Sequence, residues 1–127
     1  MAITNKKLRN EVWLMYDKHC AYCGIEIEYK QMQPDHVRPS CRGGKNDISN
    51  LKPSCRECNN YKCHSTLEEF RKALKTMLNE KLHYLFKSKT KMGVAVKFKT
   101  IQIQQWDGVF FFERENNQGL IPQPPIE

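Results

Sequence analysis

The sequence predicts an α+β fold, and three observations carry that expectation. Two Cys-x-x-Cys pairs, Cys20/Cys23 and Cys55/Cys58, enclose short extended stretches joined by a turn-rich loop. A stripe of apolar residues at helical period follows from Ser65 onward. Near the C-terminus an Asp-Gly turn stands beside a run of aromatic residues, as in a β-hairpin.

Taken in chain order, Leu8, Val12, Leu14, Met15 and Tyr16 suit a short amphipathic helix that leads into the tight turn Cys20-Ala21-Tyr22-Cys23-Gly24. Residues 25–34 read as extended, with Pro34 best placed at a strand edge. The polar segment from Ser40 to Asp47 is a loop, rich in turn formers. Leu51 to Ser54 suit the return strand, and Cys55-Arg56-Glu57-Cys58 opens a helix. A long helix then starts near Ser65 or Thr66, either of which can cap it, with Glu68 or Glu69 at capping-box spacing. Its stripe of Leu67, Phe70, Leu74, Met77, Leu78, Leu82 and Leu85 is core packing.

Residues 90–99 alternate like a strand at Val94, Val96 and Phe98, but the parity slips at Ile101 and Ile103, which a short helix or a bulge explains. Trp106-Asp107-Gly108 and Val109 to Glu113 read as a hairpin turn and its returning strand. The length of 127 residues supports one domain with a modest core, assigned to residues 1–114. The Pro-containing tail, 115–127, is expected to be disordered.

Each Cys-x-x-Cys unit can present two thiolates to one tetrahedral ion, and two units close a four-cysteine shell around zinc. A closed shell has no open position for substrate, so this zinc is expected to be structural. Cys41 and Cys63 lack partner spacing and read as free thiols, and His64 reads as a surface residue before a helix cap.

Between the pairs stand Asp35-His36-Val37-Arg38-Pro39, then Gly43-Gly44, then Asn50-Leu51, and the second pair runs on through Asn59 to Lys62. The order C-x-x-C, D-H-x-x-P, G-G, N-L, C-x-x-C-N and x-x-K resembles the HNH (ββα-metal) endonuclease family, in the subgroup whose nuclease motif lies within a four-cysteine zinc site. The resemblance is tight over residues 20–62. It extends more loosely to the flanking helices and to the Phe-Phe-Phe-Glu ending, which is similar to that of small phage and bacterial members.

The resemblance implies a ββα-metal core with a long C-terminal amphipathic helix and a terminal β-hairpin. It implies His36 as general base, Asp35 as a metal ligand, Asn50 as the residue whose amide fixes the loop and the His, and Asn59 at the third motif position. Two oxygen ligands, Asp35 and Asn59, favour Mg2+ or Mn2+ over zinc at this second site. Arg38, Arg42, Lys45 and Lys62 are the expected phosphate contacts, Lys62 because the family pattern carries a Lys there. The implied reaction is hydrolysis of DNA to 5′-phosphate and 3′-hydroxyl ends.

The net charge of +7 is uneven, with nine Lys/Arg against three Asp/Glu over residues 65–99. Such a middle favours a polyanionic partner, with duplex DNA expected first. A non-catalytic zinc-finger DNA-binding protein on the same scaffold and an RNA-directed nuclease stay open as alternatives. The polar Met1 to Lys7 segment lacks a signal-peptide core, and no stretch has the apolar length of a membrane span. The expected location is therefore the cytoplasm of a bacterial or phage-infected cell, where cysteines stay reduced.

Overall fold

The computed structural model describes residues 5–77 and 89–114. They fall into two compact units: the described residues up to Leu67 together with those from Val109 onward, and the described residues between Glu68 and Gly108.

The first unit opens with α1 (Lys6–Leu14), capped by Asn5, whose side chain accepts the amides of Lys7 and Leu8. Val12 is its buried residue, and Trp13 donates its indole N–H to Ile27 O at 2.9 Å. The chain then forms a knuckle in which Cys20 N donates to Ile25 O at 2.8 Å and Gly24 N to Cys20 O at 3.0 Å. Gly24 closes it at φ 83°, a conformation that suits a residue without Cβ.

β1 (Gln33–His36) and β2 (Leu51–Ser54) form a two-stranded antiparallel sheet with Gln33 opposite Ser54, Pro34 opposite Pro53, Asp35 opposite Lys52 and His36 opposite Leu51. The extended stretch expected at 25–34 thus holds only the first part of the strand, which runs on through Asp35 and His36. Hydrogen-bonded and non-hydrogen-bonded rungs alternate in such a ladder. The two prolines share a rung of the second kind, so their missing N–H groups cost no ladder bond. Pro53 O points off the sheet and accepts Ala21 N at 2.8 Å, which seats the knuckle on the outer edge of β2.

The connection from Val37 to Asn50 is gathered by one side chain. Asn50 Oδ1 accepts Arg38 N at 2.9 Å, and its Nδ2 donates to Arg38 O at 3.0 Å and Lys45 O at 2.8 Å. Gly44 passes so close that a Cβ there would lie 1.7 Å from Arg38 O. After β2 comes α2 (Arg56–Lys62), whose N-cap is Cys55, and α1 and α2 both pack on the sheet.

The terminal β-hairpin expected from Trp106 to Glu113 does not form. Gly108 does take the positive φ of a turn, 85°, but Phe111–Glu113 is a 3₁₀ turn. A strand sends neighbouring side chains to opposite faces, whereas Phe110 and Phe111 are both buried. The backbone instead hangs on the knuckle, Phe111 N donating to Tyr22 O at 3.1 Å and Phe112 N to Ala21 O at 2.8 Å.

In the second unit, the helix expected from Ser65 or Thr66 begins as α3 (Leu67–Lys75), with Phe70 buried and Leu74 and Met77 half-buried. Leu78, Leu82 and Leu85, the rest of the expected stripe, lie outside the described residues, as does the tail expected to be disordered. Arg71 Nη1 donates to Gly108 O at 2.6 Å. Residues 91–97 form α4, capped by Thr90 Oγ1 on Gly93 N at 2.9 Å, and this helix accounts for the slipped alternation. Among the described residues, no helix is long and apolar enough to cross a membrane.

Gly44→Ala is expected to lower unfolding stability by about 1–3 kcal/mol, the usual cost of overpacking. Urea denaturation followed by circular dichroism measures it; an unchanged midpoint would show that the loop is not held by Asn50 as described.

Candidate metal centre and active-site cleft

The knuckle and the start of α2 bring Cys20, Cys23, Cys55 and Cys58 together, with all four Sγ atoms within 4.8 Å of one another. Cys23 Sγ and Cys55 Sγ are 3.8 Å apart. A zinc–sulfur bond of about 2.3 Å gives a tetrahedral edge of about 3.8 Å, so the donor set and its size fit such an ion. Cys55 Sγ also accepts Cys58 N at 3.4 Å, the cap that starts α2.

The thiols share protons unevenly. Hydrogen bonds from Cys20 and Cys58 hold Cys23 down to about 4. Cys20, opposed by its bond to Cys23, is drawn down to about 7 by Cys55 and Cys58. Cys58 is pushed up by Cys20 and Cys23, and Cys55 by Cys20 and by burial. Each thiolate here is stabilised by a neighbour that keeps its proton, and only a cation lets all four ionise together.

A second cluster lies beside the first. Asp35 and His36 stand on β1, Asn59 follows Cys58 on α2, and all three line an open cleft of about 500 Å³. Neighbouring side chains on a strand point to opposite faces, and at this strand end both residues border the cleft. Asp35 is 4% exposed and fully engaged: Oδ2 accepts Tyr22 OH at 2.5 Å and faces Lys62 Nζ at 3.1 Å, while Oδ1 accepts Asn59 Nδ2 at 3.2 Å. Burial, and then the Asp35 carboxylate, raise the Tyr22 phenol well above its ordinary value, so Tyr22 is a donor. A half-turn of the Asn59 amide would set its Oδ1 beside Asp35 Oδ1, and two such oxygens fit a hard divalent ion.

Lys62 corrects the sequence expectation. It is not a phosphate contact: its side chain is 0% exposed, paired with Asp35, and donates to His36 O at 2.9 Å. That carbonyl is on the outer edge of β1, where the ladder alternation leaves it free to accept. Arg38, Arg42 and Lys45 are exposed, Arg38 Nε donating to Arg42 O at 2.8 Å and Arg42 reaching His64 O at 3.4 Å.

Asn50 does not touch His36. It holds Lys45 O, and the next residue, Asn46, places Oδ1 2.9 Å from His36 Nε2. The middle Asn therefore acts on the histidine through the loop. Sequence reasoning missed Asn46, since an Asn in a Gly-rich loop is indistinguishable from a turn former. It also missed Tyr22, hidden as a spacer between two cysteines, and Arg9, which lines the cleft. The Arg9 guanidinium is committed to Tyr29 O and Met32 O, both at 2.7 Å, and lies over the Tyr29 ring.

Comparison with known proteins bears out the resemblance read from the motif. Residues 20–75 match a family model described as HNH endonuclease, a span that includes both cysteine pairs, Asp35, His36, Asn50 and Asn59. No curated protein matches the chain. Among solved structures the chain is similar to the Type II-C Cas9 enzyme from Actinomyces naeslundii, at 29% identity and a TM-score of 0.47. The similarity covers 51% of this chain and 8% of that one, so the chain spans a small part of that protein's length.

Two outcomes are expected. Cys20→Ser or Cys55→Ser opens the shell and loses both metal and fold, because a four-thiolate zinc site contributes roughly 10–16 kcal/mol of apparent binding energy. Elemental analysis beside circular dichroism checks it; a variant folded without metal would contradict it. Lys62→Met strands a buried carboxylate and is expected to cost about 3–5 kcal/mol, measured by urea unfolding.

Proposed function

We propose that this chain is an HNH-type, metal-dependent endonuclease that hydrolyses DNA phosphodiester bonds. One observation carries the reading: the neighbours Asp35 and His36 on β1 and the sequence-distant Asn59 on α2 border one cleft beside a four-thiol cluster. The family match over residues 20–75 supports a nuclease at the general level. In this reading zinc in the four cysteines is structural, and Asp35 and Asn59 hold Mg2+ or Mn2+. When bound, that ion supplies positive charge to the scissile phosphate and its leaving oxygen.

The chain's own residues supply the rest. Asn46 Oδ1 accepts a hydrogen bond, so the partner nitrogen His36 Nε2 carries the proton. Nδ1 then keeps its lone pair and takes the proton of the attacking water. Asn50 keeps the loop, and through it the histidine ring, in place. Arg38, Arg42 and Lys45 are the phosphate contacts, three exposed cations on the loop that carries Asn46. A non-catalytic nucleic-acid binder would need cations but not the Asp35, His36 and Asn59 set.

The test is incubation of supercoiled plasmid with the purified chain under EDTA, Mg2+ or Mn2+. Nicked or linear DNA that appears only with the divalent ions is expected, and DNA that is bound but intact would favour the binder. RNA in a parallel arm tests the substrate class. His36→Ala is expected to lose ~10²–10⁴-fold in cleavage rate while keeping zinc, fold and DNA binding. Cleavage by His36→Ala at the parent rate would remove His36 as the base.

A further inference from the structure

Tyr22 is a spacer of the first cysteine pair, yet its side chain leaves the thiol cluster and ends at the other site. Its ring is buried edge-on against Phe110, at 5.3 Å between centroids, and against Phe112, at 6.1 Å. Those contacts fix the plane and the reach of the phenol. Its hydroxyl donates to Asp35 Oδ2 at 2.5 Å, on the same oxygen that Lys62 Nζ approaches to 3.1 Å. The other oxygen, Oδ1, is turned to Asn59. The carboxylate thus has one oxygen held from behind by two donors and one facing the side chain with which it lines the cleft.

We propose that Tyr22 is a positioning residue that sets how tightly the hydrolytic ion is held, by pinning Asp35 Oδ2 so that Oδ1 alone is offered to a hard divalent cation. This rests on the reading of Asp35 and Asn59 as that ion's ligands. Without the hydroxyl the carboxylate is free to turn about its terminal bond. Lys62 Nζ then draws on both oxygens, including the one the ion needs. Because Tyr22 is flanked by Cys23 and lies two residues from Cys20, the thiol-bound ion also fixes the backbone from which the phenol reaches.

The test uses the full chain with zinc bound and no nucleic acid, with Mn2+ as the probe, its binding followed by electron paramagnetic resonance. Tyr22→Phe keeps the ring and its aromatic contacts. It is expected to retain zinc and cooperative melting and to bind Mn2+ about tenfold more weakly. The Mg2+ concentration giving half-maximal plasmid cleavage is expected to rise by a similar factor. Placing 4-aminophenylalanine at position 22 restores a donor at the same point and is expected to recover the affinity. Unchanged or tighter Mn2+ binding by Tyr22→Phe overturns the inference. So does loss of zinc or of melting, since the phenol would then hold the fold and not the carboxylate. Asn59→Ala separates the two levels: parental Mn2+ binding there sinks the ligand reading itself, whereas weakened binding there with unchanged Tyr22→Phe sinks only the role of Tyr22.

Discussion

The ion pair between Asp35 and Lys62 is the constraint around which the first unit is built. Both side chains are almost wholly withdrawn from water, and either charge alone in that position would cost several kcal/mol. The pair is tolerable because every polar atom has further partners: Tyr22 and Asn59 on the carboxylate, His36 O on the ammonium. These partners come from the knuckle, from β1 and from α2, so satisfying one buried charge fixes three segments at once. It also fixes strand register. A slip of one residue would exchange the faces of Asp35 and His36 and leave Lys62 without its carboxylate.

The thiol cluster solves a different electrostatic problem on the same backbone. Four sulfurs packed this closely compete for protons, and the knuckle and the α2 N-terminus hold them there through ordinary backbone bonds. The knuckle in turn receives the aromatic ending, since the amides of Phe111 and Phe112 bond to Tyr22 and Ala21. A short chain with a two-stranded sheet has little apolar area to bury. Here cysteines, an ion pair and three consecutive phenylalanines stand in for a larger core.

Much of the site was legible in the sequence because its chemistry is written in residue types at fixed spacing. The cysteine pairs announced a four-thiol cluster, and the sulfur distances agree; of the other motif residues, Asp35, His36 and Asn59 border one cleft, while Asn50 holds the loop beside it. What was not legible depends on tertiary geometry. Lys62 looks like any surface lysine until α2 turns it under β1. Asn46 and Tyr22 occupy positions where turn formers and spacers are expected, and only the folded loop and knuckle reveal their partners. The hairpin expected at the C-terminus failed because local turn chemistry at Gly108 was outweighed by the burial of adjacent phenylalanines on the knuckle. The slipped alternation at 90–99 was a helix whose valines happened to mimic strand spacing.

The proline rung has a consequence for how copies of this protein behave at high concentration. A two-stranded sheet exposes two edges, each a template onto which another chain's strand could add. On β2 the outward carbonyl of Pro53 is already taken by Ala21, and Pro53 has no amide to offer. On β1 Pro34 likewise lacks a donor, and the outward carbonyl of His36 is covered by Lys62. Each border therefore carries a proline and an occupied carbonyl, which weaken it as a template for intermolecular strand pairing. A scaffold this small thereby blunts the edges of its sheet without adding a third strand.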